Sequence, residues 1–324
     1  MMARSATTPE PAASLAAPAC TRSGWARQAL ALALLPCLLA GALLQQVTQA
    51  APRKRATAVA RASPAPLLRF GVLSHEANLP EELERRASEN VAFILVNGLK
   101  NDSETCTESL YQQRRDWLDA SEHSVIVSLA ASDWLTCGNT NPLHELRVRL
   151  FDGDLSLGAS KLPVTRLSVN RKFRRYVENA RWELNDILFA TINLPADNNH
   201  YRPDAGRNGE FEDRQVANRI WLERLFVLAQ QKKMRAIVLF SDGNLWQPRS
   251  KIRRDGFLEV RNQITQLGSK MHGKVLLVDH QPEQPVQGII WRGNIGHISL
   301  GSGWHEFQVN ANQAQPFALS ETAP

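Results

Sequence analysis

The chain has 324 residues with 43% apolar, 22% charged and 7% aromatic content, a length that fits one large globular domain or two smaller ones. Its 18 glycines, 17 prolines and four cysteines exclude a collagen-like repeat, a low-complexity chain and a disulfide-framework miniprotein. The net charge of +6 is a mild excess, and nucleic-acid binding calls for basic residues gathered on one face or helix, so the total gives no specific nucleic-acid signal.

Ala29–Leu44 (ALALALLPCLLAGALL) is the only long apolar run. Its sixteen residues fall short of the roughly 20 that span a bilayer as a helix, and Pro36 interrupts them. Arg22 and Arg27 precede the run and Thr48-Gln49-Ala50-Ala51 follows it, the pattern of a secretory signal peptide cleaved after Ala50. The alternative is a retained membrane anchor reaching Val47; Arg53, Lys54, Arg55 and Arg61 on that flank weigh against easy translocation. Leu34-Leu35-Pro36-Cys37 has the outline of a lipoprotein cleavage box but carries Pro where a small residue belongs. Residues 1–50 are therefore expected to be a signal peptide or anchor and 51–66 an Ala/Pro/Arg linker. The body of the protein is expected to be periplasmic or secreted, with inner-membrane anchoring as the alternative.

From Leu67 onward short apolar runs alternate with amphipathic stretches. Leu67–Leu73, Val91–Val96, Ser124–Leu129, Ile187–Leu194, Arg235–Phe240 and Lys274–Val278 have strand length and β-branched content. Pro80–Ser88, Ser103–Ala120, Phe211–Gln231 and Phe257–Leu267 have helical spacing. The third places Val216, Ile220, Trp221, Val227 and Leu228 on one face, with Arg224 as its one charged member. This order predicts an α/β protein whose sheet lies between helices, over residues 67–310, followed by a tail at 311–324. Asp102 or Ser103 is expected to cap the second helix.

Ligands in open α/β sheets sit beyond the carboxyl ends of the strands, so the residues there carry the chemistry. They are Ser74-His75-Glu76, Asn97-Gly98-Leu99-Lys100, Ala130-Ala131-Ser132-Asp133, Ser241-Asp242-Gly243-Asn244 and Asp279-His280-Gln281. If the chain is exported, Cys106 and Cys137 remain, and an even count in an oxidising compartment points to one bridge between them; two buried thiols are the alternative. No C-x-x-C spacing, G-x-S-x-G elbow, Walker loop, H-E-x-x-H or helix-opening G-x-G-x-x-G is present. Gly301-Ser302-Gly303 follows a strand-like segment and reads as a bulge or hairpin. His272 and His297 stand singly in ordinary contexts, and Lys232-Lys233 with Arg249, Arg253 and Arg254 form a basic patch near Trp246.

At the strand ends the sequence resembles the calcineurin-like metallophosphoesterase superfamily, in an exported bacterial branch, from about Leu67 to Phe307. The resemblance rests on Phe93-Ile94-Leu95-Val96-Asn97-Gly98-Leu99-Lys100, on Ser103-Glu104-Thr105-Cys106 and Asp133-Trp134-Leu135-Thr136-Cys137, and on Tyr176-Val177-Glu178-Asn179-Ala180-Arg181-Trp182. Asn198-Asn199 and the series Arg214, Asn218, Trp221-Leu222 complete it. It implies a four-layer αββα sandwich and a two-metal site in which aspartates, an asparagine and histidines hold two divalent cations that clamp a phosphate ester. Hard oxygen ligands with imidazole suit manganese, iron or zinc.

Most of those ligands are replaced. Aligned on the first strand, the family's Asp and His fall on His75 and Ala77; the bridging Asp of Gly-Asp falls on Gly98; and the Asn of Gly-Asp-Asn falls on Ser132. The last motif falls on Asp279-His280-Gln281-Pro282-Glu283, with Asp279 and Glu283 in place of histidines. The resemblance therefore implies a degenerate member without cofactor or catalytic residues, a binding or structural protein whose partner is a periplasmic protein or a phosphate-bearing ligand. In the latter case Lys100, Asn97 and Asn199 are the expected contacts. The alternative is an active phosphoesterase holding manganese or zinc through substitute ligands, with His75, Asp133, Asp279 and His280 as the candidates.

Overall fold

The computed structural model describes residues 67–74, 78–101, 103–138, 142–204, 206, 208–247, 254–281, 285, 287–310 and 313–320. The signal or anchor segment, the linker, His75, Glu76, Ala77, Asp102, Arg249, Arg253, Pro282 and Glu283 lie outside the described residues.

In chain order the elements are β1 (Leu68–Ser74), α1 (Leu79–Arg85), β2 (Ile94–Asn97), α2 (Glu108–Ala120), β3 (Val125–Ser128), α3 (Pro142–Leu150), β4 (Thr165–Arg166), β5 (Ala180–Leu184), β6 (Ile187–Thr191), α4 (Gly209–Gln231), β7 (Ala236–Phe240), α5 (Leu258–Ser269), β8 (Lys274–His280), β9 (Ile290–Arg292), β10 (Ile295–Leu300), β11 (Gly303–Val309) and β12 (Phe317–Leu319). The described residues thus form a mixed α/β protein with five α-helices and two mixed sheets. One sheet has five strands in the order β12-β11-β1-β2-β3 and the other seven in the order β4-β5-β6-β7-β8-β10-β9. The strands with helical crossovers, β1-β2-β3 and β6-β7-β8, run parallel, and β10 joins β8 in parallel as well. The pairs β1–β11, β11–β12, β4–β5, β5–β6 and β9–β10 are antiparallel, among them a tight β5–β6 hairpin that turns at Asn185 with φ +52.

The central strands are buried on both faces, and their side chains alternate between two cores. Phe70, Val72, Phe93, Leu95 and Phe307 of the five-stranded sheet meet Trp182, Phe189, Val238, Phe240, Leu276 and Val278 of the seven-stranded one. Aromatic rings dominate this contact: Phe70 lies flat against Phe93 and Phe307 at 5.1 and 4.8 Å, and meets Phe189 edge-on at 5.4 Å. On the outer face of the seven-stranded sheet, Leu188, Leu239, Val275 and Leu277 pack beneath Trp221, Leu225 and Phe226 of α4 and Val260 and Ile264 of α5. On the outer face of the five-stranded sheet, Leu73, Val96 and Val127 pack beneath Leu83, Tyr111, Leu118 and Leu146 of α1 to α3. Gly71 has no alternative in this packing, since a Cβ there would sit 2.0 Å from the Trp304 ring.

The structure corrects several sequence expectations. Helix α2 starts at Glu108 rather than Ser103, capped by Thr107, whose hydroxyl accepts from the Leu110 N–H at 3.1 Å. Ahead of it, the Asn101 side chain accepts from the N–H groups of Ser103 and Glu104 and holds a turn that a helix would destroy. In α4 the buried face is Phe211, Arg214, Ala217, Asn218, Trp221, Leu222, Leu225, Phe226 and Ala229, while Val216 and Val227 are exposed. The predicted stripe was rotated because buried polar residues occupy inward positions. Gly301–Gly303 closes no hairpin: it carries the chain from β10 in one sheet to β11 in the other. Residues 317–319, expected in a tail, form edge strand β12 against β11. Helix α3 and strands β4, β5, β9, β11 and β12 lie outside the segments the sequence marked as helix or strand.

Cys106 and Cys137 form the expected disulfide, with Cα atoms 5.5 Å apart and a sequence separation of 31. Loop-closure entropy for that span corresponds to about 3 to 4 kcal/mol, so thiol reduction or the double Cys→Ser variant should lower the unfolding free energy read in a denaturant titration by that amount. Removing the ring at Phe70 should cost about 3 to 5 kcal/mol, since Phe70→Ala leaves a cavity between both sheets; chemical denaturation of the two proteins reads the difference directly.

Candidate functional site

The carboxyl ends of β2, β3, β6 and β7 lead into buried loops, and a buried loop must find partners for its backbone amides. Two aspartates provide them. Asp133 ends the short helical turn after β3 and is fully buried; its Oδ1 accepts from the N–H groups of Leu99 at 2.7 Å and Lys100 at 3.3 Å, and its Oδ2 from Ala130 at 2.8 Å. Its carbonyl accepts from the Tyr111 hydroxyl at 2.8 Å, and burial together with the Asp133 charge pushes the Tyr111 phenol well above its ordinary pKa. Asp242, after β7, accepts through Oδ2 from the N–H groups of Ala131 and Ala196, both at 2.8 Å. One carboxylate thereby ties the β3 end of the first sheet to the β6 end of the second.

The residues expected to touch a ligand are held in the same way. Asn97 donates to the Ser128 carbonyl at 3.1 Å. Gly98, where the family's bridging Asp would align, has φ +82, a conformation suited to glycine. Lys100 is 5% exposed, and its ammonium donates to the Asn101 carbonyl at 2.8 Å and to Thr136 Oγ1 at 3.4 Å. Asn199 donates to the Gly256 carbonyl at 2.9 Å and accepts from the Arg214 guanidinium. Arg214 is wholly buried, pairs with Glu210 at 2.7 Å and also donates to the Asn199 carbonyl at 3.0 Å. Asn179, Asn193 and Asn218 close a further buried network beside it. The residues that carry the resemblance after β5 thus hold the loops in place.

Strand β8 separates its two candidates by parity. Val275 and Leu277 point to the helix-side core and Leu276 and Val278 to the core between sheets. Asp279 and His280 continue the alternation. His280 Nδ1 shares a short hydrogen bond with the Ser74 hydroxyl of β1, whereas Asp279 bonds His297 Nε2 at 2.6 Å and accepts from Ser299 Oγ at 2.6 Å, both on β10. Burial pushes the Asp279 carboxyl above its ordinary pKa, against the opposing pull of those two partners. His297, expected to be ordinary, is therefore a member of a buried polar cluster, with its ring 5.0 Å from that of Trp246; His272 is exposed. Gln281 is half-buried, and its N–H donates to the Leu300 carbonyl. Of the basic patch, the described Lys232 and Lys233 precede β7 while Trp246 follows it, and Lys232 pairs with Glu183 at 2.6 Å.

The described donors are not gathered as a two-metal centre would need. Gly98 has no side chain to bridge, both Asp133 oxygens are engaged by backbone amides, and Asp279 and His280 lie on opposite faces of one strand. Among the described residues, no group of three or more His, Cys, Asp or Glu side chains is placed to hold a metal. Five buried polar atoms at these strand ends lack a hydrogen bond: Asn97 Oδ1, Ser132 Oγ, Trp134 Nε1, Asn193 Oδ1 and His200 Nδ1. Polar atoms so placed are natural partners for ordered water. The Trp134 and His200 rings, 5.4 Å apart, bring the two sheets' loops together. Sequence reading placed Asp242 and Asn244 among the strand-end residues without giving them a role, took His297 as ordinary and passed over Ser299.

No protein-family model and no curated protein matches the chain.

Replacing Asp133 by Asn swaps an acceptor for a donor facing a backbone N–H, and Asp133→Asn should cost about 2 to 4 kcal/mol in an unfolding titration. Burial and the Arg202 and Arg214 charges lower the His200 pKa below its unfolded value of 6.5. The unfolded chain then binds the proton more readily, so this contribution to stability is complete above pH 6.5 and declines as pH falls toward the folded pKa. His200→Gln should flatten that part of a stability–pH profile.

Proposed function

We propose that the chain is an exported protein of the four-layer αββα metallophosphoesterase-like type which has given up phosphoester hydrolysis and serves as a binding or structural protein, in the periplasm or at its membrane face. The order of the three cores, helices on sheet, sheet on sheet and sheet on helices, supports the layered part of this reading. The signal-like run Ala29–Leu44 and the disulfide support export.

The observation that carries the functional part is the commitment of Asp133. A carboxylate whose two oxygens accept three backbone N–H groups is already neutralised by those dipoles, and turning it toward a cation would strip three buried amides of their partners. The bridging position adds to this. Two divalent cations about 3.5 Å apart repel by roughly 20 kcal/mol at an effective dielectric of about 20, and Gly98 offers no carboxylate to offset it.

The test is calorimetric titration of Mn²⁺ and Zn²⁺ into the metal-stripped full chain, alongside hydrolysis of p-nitrophenyl phosphate and its bis ester. No heat of binding at micromolar metal and no metal-dependent release of nitrophenol are expected. Two tight sites, or hydrolysis that Asp133→Asn abolishes while the protein stays folded, would overturn the proposal.

A further inference from the structure

We propose that the shelf between the β9–β10 edge, α5 and Trp246 is a binding site for a small aromatic carboxylate. The register pairs Ile295 with Arg292 and His297 with Ile290, which puts all four side chains on one face of the sheet. With Thr265 of α5 and Trp246 they line a cavity of about 220 Å³. An apolar cavity of about 150 Å³ suffices for benzene, so this one has room for a single aromatic ring and one substituent.

The walls specify what that ring should carry. Trp246, Ile290 and Ile295 offer flat and branched apolar surface. Arg292 is exposed; among the described residues it makes no hydrogen bond or ion pair, and none that lines the cavity is a carboxylate. A guanidinium at the edge of an apolar slot matches a carboxylate, to which it donates two parallel hydrogen bonds.

A chain of hydrogen bonds holds the site in shape. Asn244 accepts from the Trp246 N–H at 2.7 Å and donates to Ser299 Oγ at 3.0 Å; Ser299 donates to Asp279, which holds His297 Nε2. With Nε2 engaged, Nδ1 is the His297 ring nitrogen left for a ligand. The wall and the imidazole are thus set by one network of hydrogen bonds. The inference does not depend on the reading of the strand-end loops given above.

Titration calorimetry with benzoate and with neutral benzamide, on the full chain and on Arg292→Gln and Trp246→Leu, tests it. Benzoate should bind at least tenfold more tightly than benzamide, Arg292→Gln should remove that preference while keeping the thermal midpoint, and Trp246→Leu should weaken both probes. Ile290→Trp, at a half-exposed position opposite His297, fills the slot without adding a charge and should abolish binding. Absence of benzoate binding at millimolar concentration, equal affinity for the two probes, or binding indifferent to Arg292→Gln and Ile290→Trp would each overturn the proposal.

Discussion

Burial of the central strands on both faces governs how every other part of the molecule is arranged. A strand so placed must divide successive side chains between two cores, one between the sheets and one beneath the helices. Aromatic residues fall on the inner side, where Phe70, Phe93, Phe189, Phe240 and Trp182 interlock, and aliphatic residues on the outer side. The same parity persists at the strand ends, where side chains become polar. It sends Asp279 toward His297 and Ser299 and His280 toward Ser74, so two residues adjacent in sequence belong to different environments.

The second demand comes from the backbone. Loops at the carboxyl ends of the strands are packed between the two sheets, where their amides are remote from water. Asp133 and Asp242 satisfy five of these N–H groups, and Arg214, buried by α4, satisfies carbonyls of the loop that contains Asn193 and Asn199. Charge-assisted hydrogen bonds are strong, and a buried charge is tolerated when each lone pair or proton has a partner. Residues that a sequence reader takes for ligands are here the posts on which the loops are hung. The buried network beneath Trp246 differs in one respect: it ends at a cavity rather than in a loop.

Much of the architecture was legible in the sequence. The six apolar runs marked the parallel strands to within a few residues, because strands buried on both faces read as continuous hydrophobic segments. The pairing of Cys106 with Cys137 followed from their being the two cysteines beyond the signal-like run. Short edge strands such as β4, β9 and β12 were not legible, since two or three residues carry no periodicity. Helix α4 was found but turned to the wrong face, because Arg214 and Asn218 point inward and a hydrophobic pattern counts them as outward.

Sequence alone determined where the six central strands and four of the five helices lie, because hydrophobic runs and helical spacing are local properties of the chain. Only the tertiary structure decided what the remaining polar residues do. Whether Asp133 meets a solvent cleft or three amides, and whether His297 is isolated or bonded to Asp279 eighteen positions earlier, depends on which strands become neighbours. Pairing between distant segments is a property of the whole packed chain, where burial forces each polar atom to find a partner.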